Sequence, residues 1–155
     1  MVDLQELEAI KRLKYRYVRC LDTKNFDELE RCLTEDATAA YSSGKYAFTG
    51  RAAIMTFLRE AMSSPRVLSS HRVHEPEIDF TSPTTARGLW ALDDVFINED
   101  SKITVRGAAF YDDQYVKIDG EWKIRHTGYK RLYEEAELRT DRPSLQVTAR
   151  WCDRE

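Results

Sequence analysis

A chain of 155 residues with 42% hydrophobic and 33% charged side chains reads as one ordinary globular domain, long enough to bury about 68–70% of its unfolded surface. A formal net charge of −3 and a pI near 5.7, with lysines and arginines interleaved among acids, exclude the basic footprint of a nucleic-acid binder. No run approaches the roughly 18 apolar residues of a membrane span, the start carries no basic leader, and Cys20, Cys32 and Cys152 lack metal-ligand spacing.

The expectation is therefore a cytoplasmic protein without DNA, RNA or membrane partners, with Cys20 and Cys32 packed as small apolar groups. Along the chain, Leu4, Leu7, Ile10, Leu13, Tyr17, Val18 and Leu21 recur at three-to-four spacing, which predicts an amphipathic helix from Leu4 to about Leu21. Tyr17 and Leu21 share one face, and Asp22 ends it. A carboxylate is misplaced at a helix C-terminus, where the dipole favours cations, so Asp22 has a functional reading beside its reading as a turn former.

Phe26 to Leu33 predicts a second short helix. Ala37 to Tyr41 and Tyr46 to Thr49 flank Ser42-Ser43-Gly44 as a hairpin with Gly44 at the turn. A third helix is expected from Arg51 to Ser63, closed by Pro65. From there the period changes to two, predicting strands from Ser70 to Phe80, Thr85 to Asn98, Ile103 to Lys117 and Glu121 to Tyr133. Asp119-Gly120 reads as a tight turn between the last two. Residues 1–137 form the predicted domain, and residues 138–155 a tail of uncertain order.

Helices first and long strands afterwards imply an α+β fold, with helices on one face of a mostly antiparallel sheet. Strands of ten or more residues exceed the usual length of about 5–6, so the sheet must curl. A curled sheet closed by helices makes a cone with an internal pocket. Phe48, Phe57, Leu58, Met62, Trp90, Phe96, Phe110 and Tyr111 are candidates to line it, or ordinary core.

The stretches Ala9 to Lys14 and Tyr17 to Asp22, then Phe26 to Glu30 and Tyr41 to Lys45, carry a resemblance to known sequences. So do Gly107 to Tyr111, Tyr115 to Trp122 and Thr127 to Glu135. Over roughly residues 9–136 the chain resembles SnoaL-like proteins of the nuclear transport factor 2-like (cystatin-like) superfamily, and most of all the bile-acid 7α-dehydratases. The resemblance implies working residues at Tyr17, Asp22, Tyr41, His71 and Arg131, no cofactor, and a homo-oligomer, with a trimer favoured over a dimer. Scytalone dehydratase, a more distant relative, adds a histidine from a sheet strand, and the strand from Ala86 to Ile97 here has none.

The residue types agree with that chemistry. A carboxylate on one imidazole nitrogen fixes the tautomer, so that His71, oriented by Asp22, becomes a base at the other nitrogen. Phenols at Tyr17 and Tyr41 can donate to an oxygen that gains charge, and Arg131 can hold a carboxylate, polarise a leaving group or form a cross-sheet salt bridge. His74 is expected on the face opposite His71, where the two cannot share a metal, and His126 reads as sheet filler. Asp93-Asp94 reads as a solvated strand patch, and Glu28, Glu30, Arg31, Glu134, Glu135 and Glu137 as helix or tail surface.

The expected activity is a cofactor-independent dehydratase acting on an apolar cyclic hydroxy-ketone of steroid or polyketide type. Isomerisation or cyclisation by the same base, and a non-catalytic ligand-binding or assembly module, are the alternatives.

Overall fold

The computed structural model describes residues 3–153. Helix α1 (Leu4–Asp22) starts at Asp3, whose carboxylate accepts from the Gln5 and Glu6 amides, and buries Ile10, Leu13, Tyr17, Val18 and Leu21. It ends one residue beyond the apolar stripe. There Asn25 N donates to Cys20 O and Lys24 N to Leu21 O, a Schellman closure that requires Lys24 at φ 60°.

Helix α2 (Phe26–Arg31) is shorter than its apolar spacing predicts. Leu33 opens strand β1 (Leu33–Tyr41) instead, in register with Ile124. Strand β2 (Tyr46–Thr49) and helix α3 (Arg51–Met62) follow as expected. Strands β3 (Val67–Ser82), β4 (Thr85–Asn98), β5 (Ile103–Ile118) and β6 (Glu121–Leu138) complete a single sheet ordered β2-β1-β6-β5-β4-β3. Among the described residues only the β1–β6 pairing is parallel. The β5–β6 turn has Asp119 at φ 51° and Gly120 at φ 83°, the two positive values a right-twisted two-residue hairpin needs.

Strand β6 outruns its prediction by five residues because Ile103 still pairs with Leu138. Register shifts at His74/Glu77, Ala108/Ala109 and Gln114/Tyr115 bend the long strands. This is the expected α+β cone, with α1, α2 and α3 against one face of a curved, mostly antiparallel sheet.

The main core joins Ile10, Tyr17, Leu29, Leu33, Ile54 and Ile124; a smaller cluster of Trp90, Leu92, Ala109 and Tyr111 sits beside it. Cys20 and Cys32 are buried, and burial pushes each thiol up to about 11. Two 3-10 turns (Arg139–Asp141 and Trp151–Asp153) bury no residue, and Arg150 secures this tail to Glu99 at 2.7 Å. Among the described residues no helix is long and apolar enough to cross a membrane.

Candidate active site

Strand β3 is an edge of the sheet, so alternate backbone amides along it lack a strand partner. His71 presents such an amide, and Asp22 at the end of α1 satisfies it: His71 N donates to Asp22 Oδ2 at 2.8 Å. The other carboxylate oxygen, Oδ1, takes His71 Nδ1 at 2.7 Å and the Ser69 hydroxyl at 2.8 Å. Burial opposes ionisation of Asp22, but the imidazole, the His71 amide and Ser69 outweigh it and hold the carboxyl below its ordinary range.

An ionised Asp22 takes the proton of Nδ1 as a hydrogen bond, which leaves Nε2 as the basic nitrogen. Nε2 has no protein partner among the described residues. Ser69 carried no signal beyond its i, i+2 spacing to His71, which puts both on one strand face.

Lys24 fixes the two elements that carry this pair. Its ammonium donates to Val67 O at 2.7 Å, at the start of β3, and to Met62 O at the end of α3. A left-handed lysine is an uncommon helix terminator. Here its side chain ties the end of α1 to the strand that carries His71.

Tyr41 and Tyr17 form a second pair, with phenol oxygens 2.7 Å apart and both rings buried. Tyr41 lines the cavity; Tyr17 stands behind it, so its hydroxyl acts through Tyr41. Burial raises both phenols above their ordinary value, so they are neutral donors.

Arg131 meets a partner that the sequence reading placed in solvent. Asp94 is 9% exposed and grips Arg131 with two bonds, 2.5 Å at Nη1 and 2.9 Å at Nη2. The guanidinium crosses β5 at Gly107, where a Cβ would lie 3.0 Å from Nη1 and 2.6 Å from Tyr133 O. Asp93 and Asp94 thus divide: Asp93 faces out and bonds His74 at 2.8 Å, while Asp94 faces in.

The alternation along β6 also shifts at Leu132, because Ala108 pairs with Tyr133 and Ala109 with Arg131. Tyr133 therefore leaves the face of Tyr129 and Arg131, and Glu134 takes its place. Its Oε2 lies 3.0 Å from Arg131 Nε, off the N–H axis. Glu134 is exposed, as its reading as surface has it, and it also lines the cavity beside Arg131.

The residues converge on a cavity of about 350 Å³ lined by His71, Tyr41, Asp94, Arg131 and Glu134, and by apolar groups including Phe57, Leu58, Met62, Phe96 and Tyr111. Phe48 stands one layer back against Phe57, at 4.6 Å between ring centroids. Trp90 is in the smaller core cluster, bonded to Tyr115 OH, and Phe110 lies exposed on the opposite face. His126 bonds Thr38 Oγ1 at 2.6 Å and does not line this cavity. A larger groove of about 530 Å³ beside the tail is open and holds none of these side chains.

Under the cavity floor lies an ion pair that the sequence reading did not single out. Lys14 Nζ is 2.7 Å from Asp113 Oδ2, with both side chains fully buried. The ammonium sits 3.3 Å over the Tyr111 ring and 5.0 Å from that of Tyr17. Its signal was present: Lys14 interrupts the apolar stripe between Ile10 and Tyr17. Among the described residues no three His, Cys, Asp or Glu side chains gather as metal ligands.

Comparison with known proteins agrees with this architecture. A 1.50 Å crystal structure of a scytalone dehydratase candidate from Novosphingobium aromaticivorans superposes with a TM-score of 0.78 at 25% identity, covering 95% of this chain and 92% of that one. A type 2 hexachlorocyclohexane dehydrochlorinase gives a TM-score of 0.77 at 18% identity over 86% and 90% of the two chains. An aromatic ring hydroxylase candidate from N. aromaticivorans gives 0.79 at 17% identity over 91% and 98%. The last two likenesses show the fold alone. The profile of the SnoaL-like domain matches residues 2–128, and the chain belongs to the SnoaL-like family.

Proposed function

We propose that this protein is a cofactor-independent lyase that removes water from a cyclic hydroxy-ketone. The observation that carries the reading is the Asp22–His71 pair, which holds Nδ1 at 2.7 Å and leaves Nε2, in the wall of an apolar cavity, without a partner among the described residues. His71 Nε2 takes the acidic proton next to the substrate carbonyl, and the C–H electron pair moves into an enolate. Tyr41, backed by Tyr17, donates to the enolate oxygen; donors of this kind are each worth about 2.7–4 kcal/mol. Collapse of the enolate breaks the β C–O bond, and the proton on His71 leaves with the hydroxyl as water. The base is regenerated within one turnover, and the substrate's own carbonyl supplies the electron sink.

Two structural relatives are likewise named for elimination chemistry, one a dehydratase candidate and one a dehydrochlorinase. A cavity of about 350 Å³ lies at the lower end of the roughly 300–1,000 Å³ range of small-molecule sites, which favours two or three fused rings over a full steroid. In the cell the reading is a cytoplasmic enzyme.

The assembly we propose is a homotrimer. Leu89, Phe110 and Tyr133 are exposed on the sheet, apolar surface that a second copy would cover. Light scattering on the purified protein tests the number. The activity test is a panel of cyclic β-hydroxy-ketones followed by mass spectrometry. Loss of one water, abolished in His71→Ala, supports the lyase; a product of unchanged mass identifies an isomerase or cyclase instead. No turnover anywhere in the panel refutes the lyase reading.

A further inference from the structure

The pocket contains a cation whose charge is already answered. Arg131 is gripped at both Nη atoms by Asp94, and Glu134 lies 3.0 Å from its Nε. Asp94 is directly across the β3–β4 ladder from His71, and Gly107 and Glu134 continue the same row on β5 and β6. Since His71 N donates to Asp22, the His71–Asp94 pair is of the non-hydrogen-bonded kind, in which side chains approach most closely. Two carboxylates, Asp22 and Asp94, therefore flank the imidazole.

Counting the cavity's charges, Arg131 and Lys45 are positive, while Asp94, Glu134 and Asp22 behind His71 are negative. With a neutral imidazole the balance is one negative charge. An anionic ligand reaching for Arg131 would have to displace Asp94, which is 9% exposed and has no other cation within bonding distance among the described residues. Displacement would leave a second buried anion beside the first, and like charges in such a site cost several kcal/mol.

We propose that Asp94, with Glu134, is a specificity determinant: it neutralises Arg131 so that the cavity admits uncharged cyclic substrates and rejects carboxylates of the same size. This rests on the cavity being the substrate site of the reading above. It changes the role of Arg131 from an anion receptor to a rigid, charge-compensated wall, and Gly107 is the gap in β5 that lets the guanidinium cross to Asp94.

The test is binding, which needs no turnover. The dissociation constants of 2-naphthol and 2-naphthoate, two bicyclic probes of matched size, are measured by calorimetry with wild type, Asp94→Asn and Glu134→Gln. Wild type is expected to prefer the naphthol by about tenfold or more. Asp94→Asn releases Arg131, so the preference narrows by about tenfold through tighter naphthoate binding. Glu134 is exposed enough that Glu134→Gln keeps the fold, and its ratio narrows by roughly threefold. This arm decides the matter where Asp94→Asn does not fold.

Equal or tighter naphthoate binding by wild type overturns the proposal, as does an unchanged ratio in the folded variants or failure of both probes to bind. Selectivity without any dehydration leaves the charge argument standing and refutes only the lyase reading. Dehydration without selectivity does the reverse.

Discussion

Replacing Lys14 by methionine tests whether the buried pair beneath the cavity is as dry as its geometry says. Methionine keeps the length of the side chain and removes the ammonium, so Asp113 is left buried, with the Tyr115 hydroxyl at 2.8 Å as its remaining donor. Breaking a buried pair by removing one partner costs about 3–5 kcal/mol, against a total stability of about 5–15 kcal/mol for a domain. With a urea slope of about 2 kcal/mol/M, the midpoint falls by roughly 2 M.

The double variant Lys14→Met/Asp113→Leu removes both charges, and its main loss is the acceptor of Tyr115 OH, about 1 kcal/mol. It is therefore expected to be more stable than Lys14→Met alone. Urea titration by tryptophan fluorescence and circular dichroism measures both. A cost under about 1 kcal/mol in the single variant, or a double variant as unstable as the sum of its parts, refutes the reasoning. Burial lowers the Lys14 pKa and Asp113 partly restores it. Asp113→Asn should accordingly regain stability as pH rises towards 10.5, because the folded lysine sheds its proton before the unfolded one does.

Three further outcomes follow from the site. Asp22 has a lowered native pKa, so its contribution to stability is present above its ordinary value of 3.8 and is lost as pH falls below that through the native value; the melting temperatures of wild type and Asp22→Asn should converge on acidification over that window. Lys24→Gly relieves a left-handed backbone at φ 60° but releases Val67 O and Met62 O, so kcat should fall while the helical signal of α1 persists; unchanged kcat would deny the clamp any part in positioning His71. Tyr41→Phe should lower kcat by about 10²–10³, and Tyr17→Phe by a smaller factor because its hydroxyl acts through Tyr41.

The sequence was most legible where local chemistry agreed with local structure. The stripe from Leu4 to Leu21, the Asp119-Gly120 turn and the period-two strands each declare themselves within one continuous segment, and together they dictate the cone. Asp22 stood out because a carboxylate is misplaced at a helix C-terminus, whereas His71 was singled out, and joined to Asp22, by the family resemblance. The inward placement of Asp94 and the approach of the exposed Glu134 to Arg131 were not legible. Adjacent aspartates on a strand face opposite ways, and nothing local says which one faces in. Only the register across β4, β5 and β6, with the shift at Leu132 and the gap at Gly107, brings Asp94 to Arg131. Lys14 was legible in principle, as a charge inside an apolar stripe, but its partner is 99 residues away (113 − 14) on β5.

The measurement closest to the central claim asks only whether His71 removes a proton next to a carbonyl. A bicyclic ketone without a hydroxyl, such as 1-tetralone, is incubated with the protein in deuterium oxide, and α-deuteration is followed by NMR. Exchange catalysed by wild type and reduced about 10²–10⁴-fold in His71→Ala, with the fold intact, is the predicted result. Exchange that persists undiminished in His71→Ala would contradict the account.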